Sequence, residues 1–387
     1  MKVSLCGAYL VSFRRPLKMG KLQLLQWYHN YALVLGVTSH RLVSGRVQQS
    51  WVTRWYTVVA NVFILIALPG MFWLSVEYIR QTNWFPNLIP FTSYILYSVS
   101  YAAISYTILS RSWRDCALVE LESIVCKINS QHPHHVDRCL EYIFYLKLAT
   151  MILLTLIGMV MCLMIPNEHR WNILLITFVF QNAMNIPPVA TYRYFLALWY
   201  IASSYQSINR RLNELVNAFE SRLPKRGERE ELFRLWSMHA VLGRCTLKIN
   251  KVYEFLMLAA RFEFATFCVI YGYWGMLFAF AVDTPIYAIM FGCFNYWIRF
   301  LDFYLLDAMC DLTIHYQNNS YHGVTEGHWF KELNYYLLYT KSSKFEISVC
   351  GLYTVNRSRW FQMLGSLTTF TLLLLQFHLI LKDKFTL

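Results

Sequence analysis

Seven stretches of this chain are long and apolar enough to cross a lipid bilayer as helices, at roughly 55–79, 84–109, 142–166, 171–203, 253–281, 283–306 and 360–381. A hydrocarbon core of about 30 Å takes about 20 helical residues. Within it each backbone N–H and C=O must find its partner inside the segment, which leaves the helix as the form open to such runs. The composition agrees: 57% of the 387 residues are hydrophobic and 15% charged, whereas a soluble domain carries about 45–50% and about 25%. Soluble disorder is excluded by the hydrophobicity, and collagen-like or Pro/Gly low-complexity chains by only 15 Gly and 10 Pro. The expected fold is all-α, a polytopic membrane protein of seven transmembrane helices. A shorter apolar stretch at 27–38 reads as an interfacial or cytoplasmic helix. The fourth segment is too long for a straight span, and Pro187-Pro188 should kink it and let its end project into the cytoplasm.

The connections alternate in length. Those after spans one, three and five are a few residues, and those after spans two, four and six are long, so the bulky loops share a side with the N-terminal segment. That side carries 27 Lys and Arg against 4 on the other, at Arg80, Arg170, Lys382 and Lys384. Basic loops mark the cytoplasmic face, which puts the N-terminus inside and the C-terminus outside. The net charge of +13 is then explained by loops facing anionic lipid, and nucleic acid is not expected as a partner. The apolar stretch Val3–Phe13 could pass for a short signal peptide, but Arg14, Arg15 and Pro16 follow it without a small-x-small cleavage site; it reads as an uncleaved cytoplasmic segment.

Four further cations, Lys147, Arg193, Arg261 and Arg299, fall within spans, each in the cytoplasmic half, where they can snorkel or pair within the bundle. Arg299 and Asp302 are i,i+3 neighbours, so a local ion pair is expected. In the loop 204–252, Ile208, Leu212, Leu215 and Phe219 recur at helical spacing, Leu223-Pro224 breaks the run, and helix resumes near Glu230. Spans four and five should extend into the cytoplasm as a helical hairpin. The loop 307–359 also reads as largely helical.

Enzyme signatures are absent: there is no GxGxxG, Walker A loop, HExxH or GxSxG. The chain reads as no enzyme, with no cofactor and no metal. The His132, His134 and His135 cluster lacks acidic or Cys partners at ligand spacing. Asp302, Asp307 and Asp311 could serve a metal-dependent membrane transferase, although a basic cytoplasmic boundary explains them more simply. The ten Cys form no CxxC pair; those in apolar runs, such as Cys162, Cys268 and Cys293, read as small core residues, and Cys116, Cys126 and Cys139 lie on the reduced side. G-protein-coupled receptors also have seven spans, but their N-terminus is outside, and their DRY and NPxxY triplets are missing here.

The C-terminal stretch CGLYTVNRSRWFQMLGSLTTFTLLLLQFHLI, from Cys350 to Ile380, resembles the insect gustatory receptor family. That family's signature in the last span is Thr-Tyr, five mostly hydrophobic residues, then Gln-Phe. Here it stands as Thr369-Phe370, five residues, then Gln376-Phe377, with Phe370 in place of Tyr and the polar Thr371 in a normally apolar slot. Gly351-Leu352-Tyr353 and Asn356 fit the same pattern. The resemblance implies a gustatory chemoreceptor that is a tetrameric, ligand-gated, non-selective cation channel in the plasma membrane of sensory neurons. One final helix per subunit would line the pore, with Gln376 and Phe377 at its constriction. On that basis the chain divides into a cytoplasmic N-terminal segment (1–54), six spans with the ligand-binding bundle and cytoplasmic extensions (55–306), a cytoplasmic helical anchor (307–359), and the pore helix with a short extracellular tail (360–387).

The residues support that reading in part. Thr369, Leu372, Leu373, Gln376 and Ile380 form one helical stripe. Four such stripes would make a tube of hydrophobic rings, which can gate by dewetting, and one amide ring. The alternative is that Gln376 hydrogen-bonds a neighbouring helix and Phe377 simply packs. The resemblance places ligand in the outer half of the bundle, where Tyr94, Tyr97, Trp171, Phe178, Tyr271, Trp274, Phe278 and Tyr287 fall; each is equally readable as an interfacial belt residue. Few amides or carboxylates stand there (Asn87, Gln181, Asn182, Asp283). The expected ligand is thus a small, semi-polar tastant of bitter or aversive type rather than a sugar. The expected partners are that tastant, cations, membrane lipids and further subunits in a homo- or heterotetramer. A transporter or lipid-modifying enzyme of similar topology is the alternative, but a transporter should show internal repeats and paired broken helices.

Overall fold

A computed structural model describes residues 19–43, 46–81, 88–131, 137–164, 171–221, 225–280, 284–318, 346–355 and 357–385. Its elements are α1 (Met19–Val34), β1 (Arg41–Val43), β2 (Arg46–Gln48), α2 (Trp51–Gln81), α3 (Leu88–Leu109), α4 (Arg111–Gln131), α5 (Arg138–Met164), α6 (Trp171–Met184), α7 (Ile186–Ser221), α8 (Arg226–Phe280), α9 (Ile286–Asn318), β3 (Ser348–Val349), β4 (Tyr353–Thr354) and α10 (Arg357–Phe385). The fold is a bundle of helices with two small antiparallel hairpins, β1–β2 and β3–β4.

Helix occupies all seven apolar segments. By length and composition alone, four stretches among the described residues suffice to cross a membrane: Trp51–Glu77, Arg138–Val160, Arg226–Phe280 and Ser358–Ile380. α6 is short, at 14 residues, and in α3, α7 and α9 polar side chains interrupt the apolar runs; Thr107 Oγ1 of α3 donates back to the Ala103 carbonyl at 2.7 Å. Segment four is broken, not kinked as expected. α6 stops at Met184, Asn185 makes the turn, and Pro187 and Pro188 sit in the first turn of α7. There their missing N–H groups cost nothing, since the first N–H groups of a helix have no partner in it.

α7 and α8 run side by side beyond the apolar segments, as the loop pattern predicts, clamped by Arg211 donating to both carboxylate oxygens of Glu231 at 2.8 and 3.0 Å. α8 is one continuous 55-residue helix. The stretch 110–141 holds a full helix, α4, packed against α7 and α8. The stretch 307–359 is only partly as expected. α9 carries helix on to Asn318, but Ser348–Thr354 is a hairpin, pairing Ser348 with Thr354 and Val349 with Tyr353. Its turn needs two residues at positive φ, supplied by Cys350 (52°) and Gly351 (66°), and Cys350 bears the strain that Gly351 does not.

α1 packs Leu25, Tyr28, Ala32 and Leu35 into the core, a helical stripe, and the Tyr28 hydroxyl donates to the Val189 carbonyl of α7 at 2.9 Å. It ends on Gly36 at φ 71°. The Val37 N–H reaches the Ala32 carbonyl (2.9 Å) and the Gly36 N–H the Leu33 carbonyl (3.0 Å), a Schellman cap.

Three of the four in-span cations are paired across helices. Lys147 meets Asp302 at 2.7 Å, Arg193 meets Asp115 at 2.6 Å, and Arg261 meets Asp307. The expected Arg299–Asp302 pair does not form, because Asp302 is taken by Lys147 and by Thr150 Oγ1 (2.7 Å). Arg299 lies instead over the Phe267 ring, 4.6 Å from its centroid. With Asp302 and Asp307 so engaged, the acidic cluster is a set of ion-pair partners. Among the described residues no group of three or more His, Cys, Asp or Glu side chains could hold a metal ion. None of the eight Cys with a described side chain forms a disulfide; Cys268 is buried as expected, whereas Cys293 is exposed. His132, His134, His135, Asn87, Asp283 and Leu223-Pro224 lie outside the described residues.

Candidate functional site: the last helix and the aromatic bundle beside it

α10 touches the rest of the chain along one narrow stripe. Trp360, Met363, Leu364, Leu367, Thr371, Leu374, Leu375 and His378 are buried or half-buried, at steps of one, three and four. Trp360 anchors the stripe among Phe264, Phe300 and Phe303, with ring centroids at 5.5, 4.9 and 6.0 Å. Higher up, Thr371 meets α8 at Gly272, where an added Cβ would lie 3.0 Å from Thr371 Cγ2. The Tyr273 hydroxyl is 3.1 Å from His378 Nδ1.

The opposite face of α10 holds the sequence-predicted pore residues. Thr369, Leu372, Leu373, Gln376 and Phe377 are all exposed, as is Ile380. Thr369 Oγ1 bonds back to the Gly365 carbonyl at 3.0 Å, which hides its hydroxyl from the surroundings. The Gln376 amide makes no hydrogen bond to any described residue. A carboxamide left uncovered on an apolar helix is costly unless it meets a partner or water.

The aromatic residues divide. Tyr97 of α3 stacks on Phe72 (4.9 Å) and meets Phe180 edge-on (5.6 Å). Tyr271 and Trp274 of α8 are ring neighbours at 5.0 Å, and Trp274 Nε1 donates to Thr92 Oγ1 of α3 at 3.1 Å. Tyr271 and Trp274 thus lie at the α3–α8 interface, and Tyr97 of α3 packs toward α2 and α6. Phe278 packs instead beside Tyr273 and Leu277, near Leu374 and Leu375 of α10. Tyr94, Phe178 and Tyr287 are on outward faces, 39%, 46% and 67% exposed. Trp171 opens α6.

Close by is a polar pair that the sequence reading passed over in part. Glu263 is buried, with Ser100 Oγ donating to its Oε1 at 3.2 Å. Arg299 Nε is buried with no hydrogen-bond partner among the described residues. The available signal was an acidic residue inside an apolar segment, which is costly there unless it has a task.

A cavity of about 90 Å³ lies elsewhere, between α1, α4 and α7. Beside it sits a buried network in which Asp115 pairs with Arg193 and accepts from Thr38 Oγ1 (3.3 Å), the Ser39 N–H (3.2 Å) and Ser39 Oγ (3.1 Å). Burial pushes the Asp115 carboxyl up, but the Arg193 guanidinium and His40 more than reverse this, holding it well below the usual carboxylate range.

The model of the 7tm chemosensory receptor family matches residues 25–381, nearly the whole helical bundle. The chain belongs to that family. A gustatory receptor, 59b of Drosophila erecta, is 31% identical over 305 residues, which is 78% of this receptor. The match spans about half, 52%, of that relative's length. Among solved structures, the insect olfactory receptor OR5 from Machilis hrabei superposes with a TM-score of 0.62 at 11% identity, covering 92% of this receptor and 99% of that chain. The same protein in complex with eugenol gives a TM-score of 0.64 at equal identity and coverage. At such identity the likeness is one of fold. The receptor is thus a multi-pass helical membrane protein of a chemosensory family, not an enzyme.

Proposed function

We propose that the receptor is a gustatory ligand-gated, non-selective cation channel of the sensory-neuron plasma membrane, with its N-terminus inside and C-terminus outside. It would assemble as a homo- or heterotetramer around four copies of α10. The observation that carries this is the uncovered stripe of α10. The Gln376 amide, which makes no hydrogen bond to any described residue, needs a polar neighbour or water, and four copies of the stripe around an axis supply both. Phe377, beside Gln376, forms the constriction. The 27-to-4 bias of basic residues supports the orientation.

For the ligand, Tyr271 and Trp274 at the α3–α8 interface, with Tyr97 on α3, offer apolar faces with hydroxyl donors, and Glu263 and Arg299 add polar anchors nearby. That chemistry suits a small semi-polar aromatic molecule of the bitter or aversive kind. A fold relative solved with the phenol eugenol is in keeping with it.

Recording from cells that express the chain, alone and with other gustatory subunits, tests the reading. Alkaloid-like or phenolic compounds should evoke cation current, Trp274→Ala should shift its ligand dependence, and Phe377→Ala should raise current without ligand. Robust responses to simple sugars with none to alkaloids would sink the ligand class; no current from surface-expressed protein would sink the channel. The sequons at Asn318 and Asn356 should carry no glycan, and a glycan at either would invert the orientation.

A further inference from the structure

The cavity between α1, α4 and α7 has no part in the proposed function. Its walls are mainly apolar, with Leu118, Leu121 and Val125 from α4 and Leu196 from α7, and it is partly open to the surface. Its polar groups are mostly spoken for. Arg193 is held by Asp115 at 2.6 Å, the Tyr28 hydroxyl donates to Val189, and His29 Nδ1 donates to the Leu25 carbonyl at 2.9 Å, which leaves its Nε2 an acceptor. His40 Nδ1 makes no hydrogen bond among the described residues but stands 3.4 Å from Asp115 Oδ2, and Glu122 has no such counter-group. Its half-buried carboxyl lines the cavity and has no hydrogen-bond or ion-pair partner among the described residues.

An unpaired carboxyl in apolar surroundings is costly, and proteins keep such groups where a ligand completes them. Ionised Glu122 and His29 Nε2 both present acceptors to the cavity, so a donor-rich group joined to an apolar body complements them. An ammonium meets this with three N–H donors and a positive charge. A closed cavity of about 150 Å³ takes benzene; this smaller, open one accommodates a short alkyl chain or one ring with part of it in the mouth. We propose that this cavity is a second ligand site, which binds a small lipophilic amine with its ammonium on Glu122 and its apolar body against Leu118, Leu121, Val125 and Leu196.

Burial pushes the Glu122 carboxyl up to about 7, with the Arg193 guanidinium acting the other way. A bound ammonium favours the ionised carboxylate, so amine binding tightens as pH rises through neutrality. The other titratable groups around the cavity are His29 and Tyr28 of α1, His40 after it, and Arg193 and Tyr200 of α7. Burial pulls His29 down to about 4, which keeps it neutral throughout that range.

Calorimetric titration of the full-length receptor in lipid nanodiscs tests the site with three probes of one shape: 2-phenylethylamine, 2-phenylethanol and 3-phenylpropionate. The amine should bind saturably, roughly tenfold more tightly than the alcohol, the scale of one charge-assisted contact. Glu122→Gln should bring amine and alcohol together, and Val119→Trp, at the cavity wall, should abolish both. An amine affinity unchanged in both variants, or no saturable amine binding, overturns the proposal. So does tightest binding of the propionate, which would make Arg193 the anchor.

Discussion

The body of α1, α4, α7 and the first half of α8 differs sharply from α10. In the body, large side chains such as Tyr28, Arg114, Phe195 and Tyr253 are under 2% exposed, and charges such as Arg193 with Asp115 and Arg211 with Glu231 pair across helices. Between Ser358 and Ile380, α10 has only 6% of its most apolar window buried. Both regions are helical and rich in apolar residues, so composition does not separate them. The body is packed on all sides within one chain, whereas α10 is attached by a single stripe and one tryptophan, as the half of an interface proposed above would be.

That contrast can be broken or sharpened by substitution. The largest loss is expected where the body is self-sufficient. Asp115→Ala strands Arg193 in the interior and should cost about 3–5 kcal/mol, read as lost thermal stability and surface expression. Acid should act in the same direction. The depressed Asp115 carboxyl gives a stability contribution that is present above the usual Asp range and lost as pH falls below it, so wild type should lose more stability on acidification than Asp115→Asn. Next comes the anchor. Trp360→Ala opens a cavity among Phe264, Phe300 and Phe303 and should cost about 3 kcal/mol, loosening α10 while the body keeps its protection from hydrogen exchange. Smaller again is Gly272→Val, whose side chain meets Thr371. It should cost about 1–3 kcal/mol and recover when paired with Thr371→Ala. Smallest in folding energy are Leu373→Ala and Gln376→Ala, each within about 0.5 kcal/mol, although Gln376→Ala should alter conductance or selectivity. A large stability loss from the latter two in the unassembled chain would mean that the stripe packs within its own subunit.

Much of this architecture was legible in the sequence, for identifiable reasons. Twenty-residue apolar runs and the Ile208–Phe219 spacing are local patterns with few outcomes, and the helices and the α7–α8 hairpin follow from them. The choice of ion-pair partners was not legible. Arg299 and Asp302 are neighbours on one helix, but Lys147 comes from α5, far away in sequence, and a buried ammonium has greater need of the carboxylate than a guanidinium that can lie on a ring. The β3–β4 hairpin hid for a related reason: its strands are two residues each, too short for a period to register, and Cys350 at positive φ gives no sequence signal. In the candidate site, the exposed stripe of α10 follows the helical period. The grouping of the aromatics does not, because which face of α3, α6 or α9 turns inward depends on packing against other helices. Glu122 was invisible as a site because α4 had no apolar run to flag it.

The central claim is that the uncovered face of α10 lines an aqueous pore. Cysteine substitution along the helix tests it most directly, with current recorded before and after a small charged thiol reagent is applied in water. Leu373→Cys and Gln376→Cys should be modified during ligand-evoked opening and block the current, while Leu374→Cys and Leu375→Cys, on the stripe that packs against α8, should be spared. Modification and block at 374 and 375, with 373 and 376 inert, would contradict the account.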